Sequence, residues 1–119
     1  MYKKTIIDHY QSPRNRESLA CPTHSSDVLN PSCGDTVIVA LTVVDGIITA
    51  ISQQARGCVL SVAASSLLSE YIKGKTVADI AAVQADAVQQ QLLGMTIGPV
   101  RLRCATLSVL AIKKALLIS

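Results

Sequence analysis

The chain has 119 residues, half of them apolar and 16% charged, with a net charge of +3. That composition excludes a disordered chain, and the length fits one domain spanning residues 1–119, burying roughly two-thirds of its unfolded surface. Only three aromatics (Tyr2, Tyr10, Tyr71) accompany the mild positive charge, which argues against a nucleic-acid surface.

The N-terminus is basic, but Ile6-Ile7 is followed at once by Asp8 and His9, so it does not read as a signal peptide. No apolar run approaches the ~20 residues that span a bilayer. A cytoplasmic protein without membrane contact is expected. Tyr2, Ile6 and Tyr10 repeat at helical spacing and predict a short amphipathic helix ended by Pro13. Residues 14–32 are polar, contain Pro22 and Pro31, and read as a loop. His9 and His24 are expected to be solvated.

Two β-branched runs, Thr36–Val44 and Ile47–Ala55, are joined by Asp45-Gly46. Asp-Gly between such runs predicts a tight hairpin, because both turn residues need positive φ. Val37, Val39, Leu41 and Val43 share one face, and Ile38, Ala40, Thr42 and Val44 the other, so both faces are expected to be partly covered. Cys33 and Asp35 precede the first strand, and Cys58 follows the second. An antiparallel pair therefore brings Cys33, Asp35 and Cys58 to one edge of the sheet.

After Cys58, residues Leu60, Ala63, Ala64, Leu67, Leu68 and Tyr71 predict a helix with one buried face. Ser61, Ser65 and Ser69 fall on its other side, and Gly74 is a natural stop. Thr76-Val77-Ala78-Asp79 and Asp86-Ala87-Val88-Gln89 read as capping boxes, with Gly94 closing the second helix. From Pro99 the pattern is helical to Leu117, with Cys104 early in that helix and Lys113-Lys114 complementing its C-terminal dipole. The fold class is α+β: a small antiparallel sheet of about three strands, with the hairpin at 36–55 central, packed against helices.

Four cysteines in a reducing compartment are metal ligands or reactive thiols more readily than disulfides. No pair has the Cys-x-x-Cys spacing of a finger or ribbon. Cys58 sits at a predicted helix N-terminus, where unpaired N–H groups and the helix dipole favour the thiolate. A buried core thiol is the ordinary alternative. Cys21, before Pro22 in a polar stretch, reads as an incidental exposed thiol.

Four segments together resemble the U-type iron–sulfur cluster assembly scaffolds: IscU, SufU and the N-terminal domain of NifU. They are His9-Tyr10-Gln11-Ser12-Pro13-Arg14-Asn15, Asn30-Pro31-Ser32-Cys33-Gly34-Asp35, Gly57-Cys58 with Ser61, Ala63, Ser65 and Ser66, and Arg101-Leu102-Arg103-Cys104-Ala105-Thr106-Leu107. The resemblance covers nearly the whole chain. It implies the SufE/NifU-like fold, with Cys33, Asp35, Cys58 and Cys104 as ligands of a [2Fe–2S] or [4Fe–4S] cluster, or of zinc in the cluster-free form. It further implies Asp35 as the residue that tunes release and Cys104 as a candidate persulfide acceptor. A cysteine desulfurase and apo iron–sulfur recipients are the implied partners.

IscU carries a histidine just before its third cysteine. Arg103 stands there instead, as in SufU-like members, whose insertion ahead of that cysteine this chain lacks. Ile97-Gly98-Pro99-Val100-Arg101 matches only in part the segment that IscU presents to its Hsp70-type chaperone, so that partner is not implied. The expected function is a scaffold that assembles and transfers a cluster, a carrier rather than an enzyme. A zinc-bound persulfide acceptor and a structural zinc domain are the alternatives.

Overall fold

The computed structural model describes residues 3–30, 34–84, 88–94 and 98–117, and the side chains at 89, 91, 92, 100 and 101 lie outside that description. Helix α1 (Lys4–Gln11) is followed by strands β1 (His24–Asn30), β2 (Asp35–Val44) and β3 (Ile47–Arg56). Then come α2 (Val59–Ile72), α3 (Val77–Ala81), a single wide π-type turn α4 (Val88–Leu93), α5 (Pro99–Ala105) and α6 (Leu107–Ala115). The strands form one antiparallel sheet in the order β1-β2-β3.

The Asp45-Gly46 turn forms as its residue types require, with φ of 52° and 76°. Val37, Val39 and Leu41 of β2 face the same side as Ala55 and Ile51 of β3 and are fully or nearly fully buried. They meet Val62, Leu68 and Ile72 of α2 and Leu107, Ala111, Ile112 and Ala115 of α6. A second cluster joins Ile6 of α1 to Leu60, Ala63 and Ala64 of α2, Val88 and Leu93 of α4, and Ala105 of α5. Each fully buried Leu or Ile contributes roughly 1.5–3 kcal/mol. On the outer face, Leu29 and Ile38 are exposed; among the described residues the helices α2 and α6 pack on the opposite side.

Four expectations are corrected. The loop read at 14–32 contains β1, a polar edge strand whose alternate residues turn toward α6. Its His24-Ser25-Ser26-Asp27 stretch lacks the β-branched signal, and partners supply what propensity does not: Ser26 Oγ donates to Ala111 O, and Lys114 Nζ to Asp27 O at 3.1 Å. Lys113 likewise reaches Val83 O at 2.9 Å, so both lysines serve distant carbonyls besides sitting in the last turn of α6.

The serines of α2 do not face solvent: Ser61, Ser65, Ser66 and Ser69 are all buried, whereas Tyr71, assigned to the buried face, is exposed. The helix lies between the sheet, α1 and α5 and is covered nearly all round. The single helix expected from Pro99 is broken at Thr106, whose Oγ1 and N–H both bond Leu102 O at 2.9 Å. Cys104 therefore ends α5 rather than opening a long helix. The capping box at Thr76–Asp79 forms, while most of the one at Asp86 lies outside the described residues.

His9 is not simply solvated. Its Nδ1 lies 2.7 Å from Ser66 Oγ, which also accepts the Arg14 N–H at 2.9 Å. Asn15 Nδ2 donates to Ser69 Oγ at 2.8 Å, and Ser65 donates to Gln53 Oε1 at 2.7 Å. Gln53 Nε2 reaches Arg14 O at 2.8 Å and Gln53 N reaches Asn15 O at 2.7 Å. The segment after α1 is thus fastened to α2 and β3 through the serine face. Arg14 also pairs with Asp8 at 2.8 Å.

Candidate metal centre

Asp35 opens β2, and the register Thr36↔Arg56 sets it beside the end of β3. The chain then turns through Gly57, with φ +134°, into Cys58, the N-cap residue of α2. Only glycine fits this turn, because a Cβ at position 57 would overlap the Asp35 carboxylate. The close approach lets the Cys58 N–H donate to Asp35 Oδ1 at 3.1 Å. A helix-terminal N–H on a carboxylate is a charge-assisted bond, and it accompanies a carboxylate only 1% exposed.

Cys104 approaches from the end of α5. Ligand-capable atoms of Asp35, Cys58 and Cys104 all lie within 4.8 Å of one another. Cys58 is exposed, whereas Cys104 is 7% exposed. Asn30 Nδ2, at the end of β1, lies 3.9 Å from Cys104 Sγ. Asn30 also lines a groove of about 380 Å³ with Leu29, Arg103, Thr106, Leu107 and Leu110. Arg103 is exposed, and the Arg101 side chain lies outside the described set.

Ser61, in the first turn of α2, sits between these groups. Its Oγ donates to Asp35 Oδ2, lies 2.9 Å from Cys104 O and 3.6 Å from Cys58 Sγ.

Three of the four ligands expected from the sequence are therefore brought together. The fourth, Cys33, lies outside the described residues. Cys21 is exposed and does not belong to the group. The donor set suits a thiophilic metal. Ligand atoms of a tetrahedral zinc lie roughly 3.3–3.8 Å apart for bonds of about 2.0–2.3 Å, so shifts of about an ångström close the group on an ion. Thiolates serve iron–sulfur iron equally well. Sequence reasoning missed Ser61 and Asn30 as neighbours of the thiols. For Ser61 the signal was its place one helical turn after Cys58.

A three-stranded antiparallel sheet under helices, with two thiols and a carboxylate gathered at one edge, defines a small α+β protein with a donor group able to hold a metal ion. The chain belongs to the NifU-like N terminal domain family, which matches residues 1–118. It is 33% identical to iron-sulfur cluster assembly scaffold protein IscU 1 of Archaeoglobus fulgidus, over 98% of this chain and 74% of that protein. It is 37% identical to IscU of Rickettsia prowazekii, over 97% of this chain and 88% of that protein. Zinc-dependent sulfurtransferase SufU of Bacillus subtilis is 30% identical, over 96% of this chain and 88% of that protein. The crystal structure of an N-terminal NifU-like protein from Brucella abortus has the same fold, with a TM-score of 0.79, 24% identity, and coverage of 96% of this chain and 90% of that one.

Proposed function

We propose that this protein receives sulfur from a cysteine desulfurase, assembles an iron–sulfur cluster on Cys33, Asp35, Cys58 and Cys104, and passes it to apo-protein recipients. The grouping of Asp35, Cys58 and Cys104 within 4.8 Å carries this reading. Relatives 33% and 37% identical that are named as such scaffolds support it. Cys33 enters as the remaining soft ligand because it stands two positions before Asp35 in the chain.

The cluster is cargo. Three thiolates match its iron, and the harder carboxylate of Asp35 holds less firmly, which suits a site that must also let go. Sulfur arrives by exchange between thiols. A Cys104 thiolate attacks the outer sulfur of the donor's persulfide, the donor S–S bond breaks, and a new S–S bond forms on Cys104. The donor cysteine leaves as thiolate, and the transferred sulfur keeps its proton. Of the two grouped thiols Cys58 is the more exposed and Cys104 the more buried. Delivery to Cys104 runs beside Asn30 and Arg103. The protein acts as a carrier, in the cytoplasm, whose reducing conditions keep thiols from forming disulfides. Among the described residues no helix is long and apolar enough to cross a membrane.

A second reading is a zinc-bound persulfide relay. It is favoured by Arg103, exposed beside Cys104 where the IscU pattern has a histidine, and by the relative named a zinc-dependent sulfurtransferase. Oxygen-free purification followed by metal analysis and visible absorption separates the two. With desulfurase, cysteine and ferrous iron, a scaffold develops visible sulfur-to-iron absorption that moves to an apo-acceptor. A relay instead carries one zinc, stays colourless, and raises desulfurase turnover. A protein that takes up neither metal nor sulfur contradicts both.

A further inference from the structure

We infer that Ser61 is a latch for the Asp35 carboxylate, a positioning residue that sets how readily the site releases its metal. The inference rests on the metal-centre reading above and goes beyond it. Ser61 is 1% exposed, and its Oγ touches all three grouped residues: Asp35 Oδ2, the Cys104 carbonyl at 2.9 Å, and Cys58 Sγ at 3.6 Å. A serine hydroxyl has one proton to donate. Here that proton has two acceptors in reach, one a carboxylate and one a neutral carbonyl.

Those two acceptors define two settings. With Asp35 off the metal, the hydroxyl donates to Oδ2 while the Cys58 N–H holds Oδ1, so a carboxylate excluded from water keeps a donor on each oxygen. With Asp35 on the metal, the hydroxyl swings to Cys104 O and leaves the carboxylate to the ion. A bond to a charged acceptor is worth more than one to a neutral carbonyl. The hydroxyl therefore favours the setting in which Asp35 has let go. It gives the departing carboxylate a partner at the moment it leaves the metal, which lowers the cost of release.

Removing the hydroxyl weakens both settings but the released one more. Ser61→Ala is expected to hold metal more tightly and to release it roughly fivefold to tenfold more slowly, the difference between a charged and a neutral hydrogen bond. The probe is zinc alone. Parent, Ser61→Ala and Ser61→Thr are loaded with one equivalent, their folding checked by circular dichroism, and release to a chromogenic chelator is followed by stopped flow. Ser61→Thr keeps the hydroxyl and should release at the parent rate. The Ala substitution is repeated on an Asp35→Ala background, where it should no longer change the rate, because Ser61 acts through Asp35. A parent that takes up no zinc overturns the metal-centre reading and this inference with it. With a parent that does bind, three results overturn the latch alone: Ser61→Ala releasing as fast as the parent or faster, slowing that persists without Asp35, or Ser61→Thr slowing as Ala does.

Discussion

Gly57 and Asp35 must be understood as a pair. The strand-to-helix turn passes so close to the carboxylate that any side chain at position 57 would overlap it. Gly57→Ala should destabilise the fold by roughly 2–4 kcal/mol, combining positive-φ strain with displacement of a packed group. It should also weaken zinc binding, because Asp35 must move. Urea unfolding and zinc titration check both, and an alanine variant matching the parent in each would contradict the packing described here. Gly57-Cys58 and Gly34-Asp35 were legible as the two ends of one hairpin, since antiparallel pairing joins those ends whatever surrounds them. The contact of Ser61 with Cys104 O was not legible, because it depends on where α5 ends, and no local signal at Thr106 marks the break.

Helix α2 is where reading from spacing failed most instructively. Serines at 61, 65 and 69 have the period of a solvent face, but the helix carries a single charged residue, Glu70. A helical face open to water normally carries charge, whereas a row of serines is small enough for other elements to approach. Here α1 and the following segment approach Ser66 and Ser69, while Gln53 of β3 accepts from Ser65 and Asp35 from Ser61. His9 records that burial. Its pKa is pushed below the ordinary 6.5, chiefly by burial and next by the Arg14 charge. The unfolded chain therefore takes up a proton on His9 more readily than the folded one. Stability from this group is intact above about pH 6.5 and falls as pH drops from there toward the lower folded value. Thermal unfolding between about pH 7 and pH 5.5 should show that loss in the parent and a flatter profile in His9→Gln. Asp8 stays ionised in that range, since its pKa is lowered from 3.8 by the hydrogen bond to Arg14. A profile unchanged by the substitution would contradict the fastening role of His9.

At the scale of the molecule, the α+β class and the central hairpin were readable because β-branched runs and an Asp-Gly turn are local signals. Strand β1 was not, because its pairing with β2 and cover by α6 are supplied from elsewhere in the chain. What the fold achieves is convergence. Asp35 comes from the start of β2, Cys58 from the start of α2, and Cys104 from the end of α5. The central claim is that this convergence serves to hold a cluster and release it. The most direct test reconstitutes the parent, Asp35→Ala and Cys58→Ser under anaerobic conditions and follows visible absorption as an apo-acceptor is added. Asp35→Ala should keep its cluster longer than the parent, because the displaceable, charged ligand is gone. Cys58→Ser should fail to load stably, because a soft ligand is gone. If Asp35→Ala loses its cluster as fast as Cys58→Ser, Asp35 is an ordinary structural ligand and the site is not built for release.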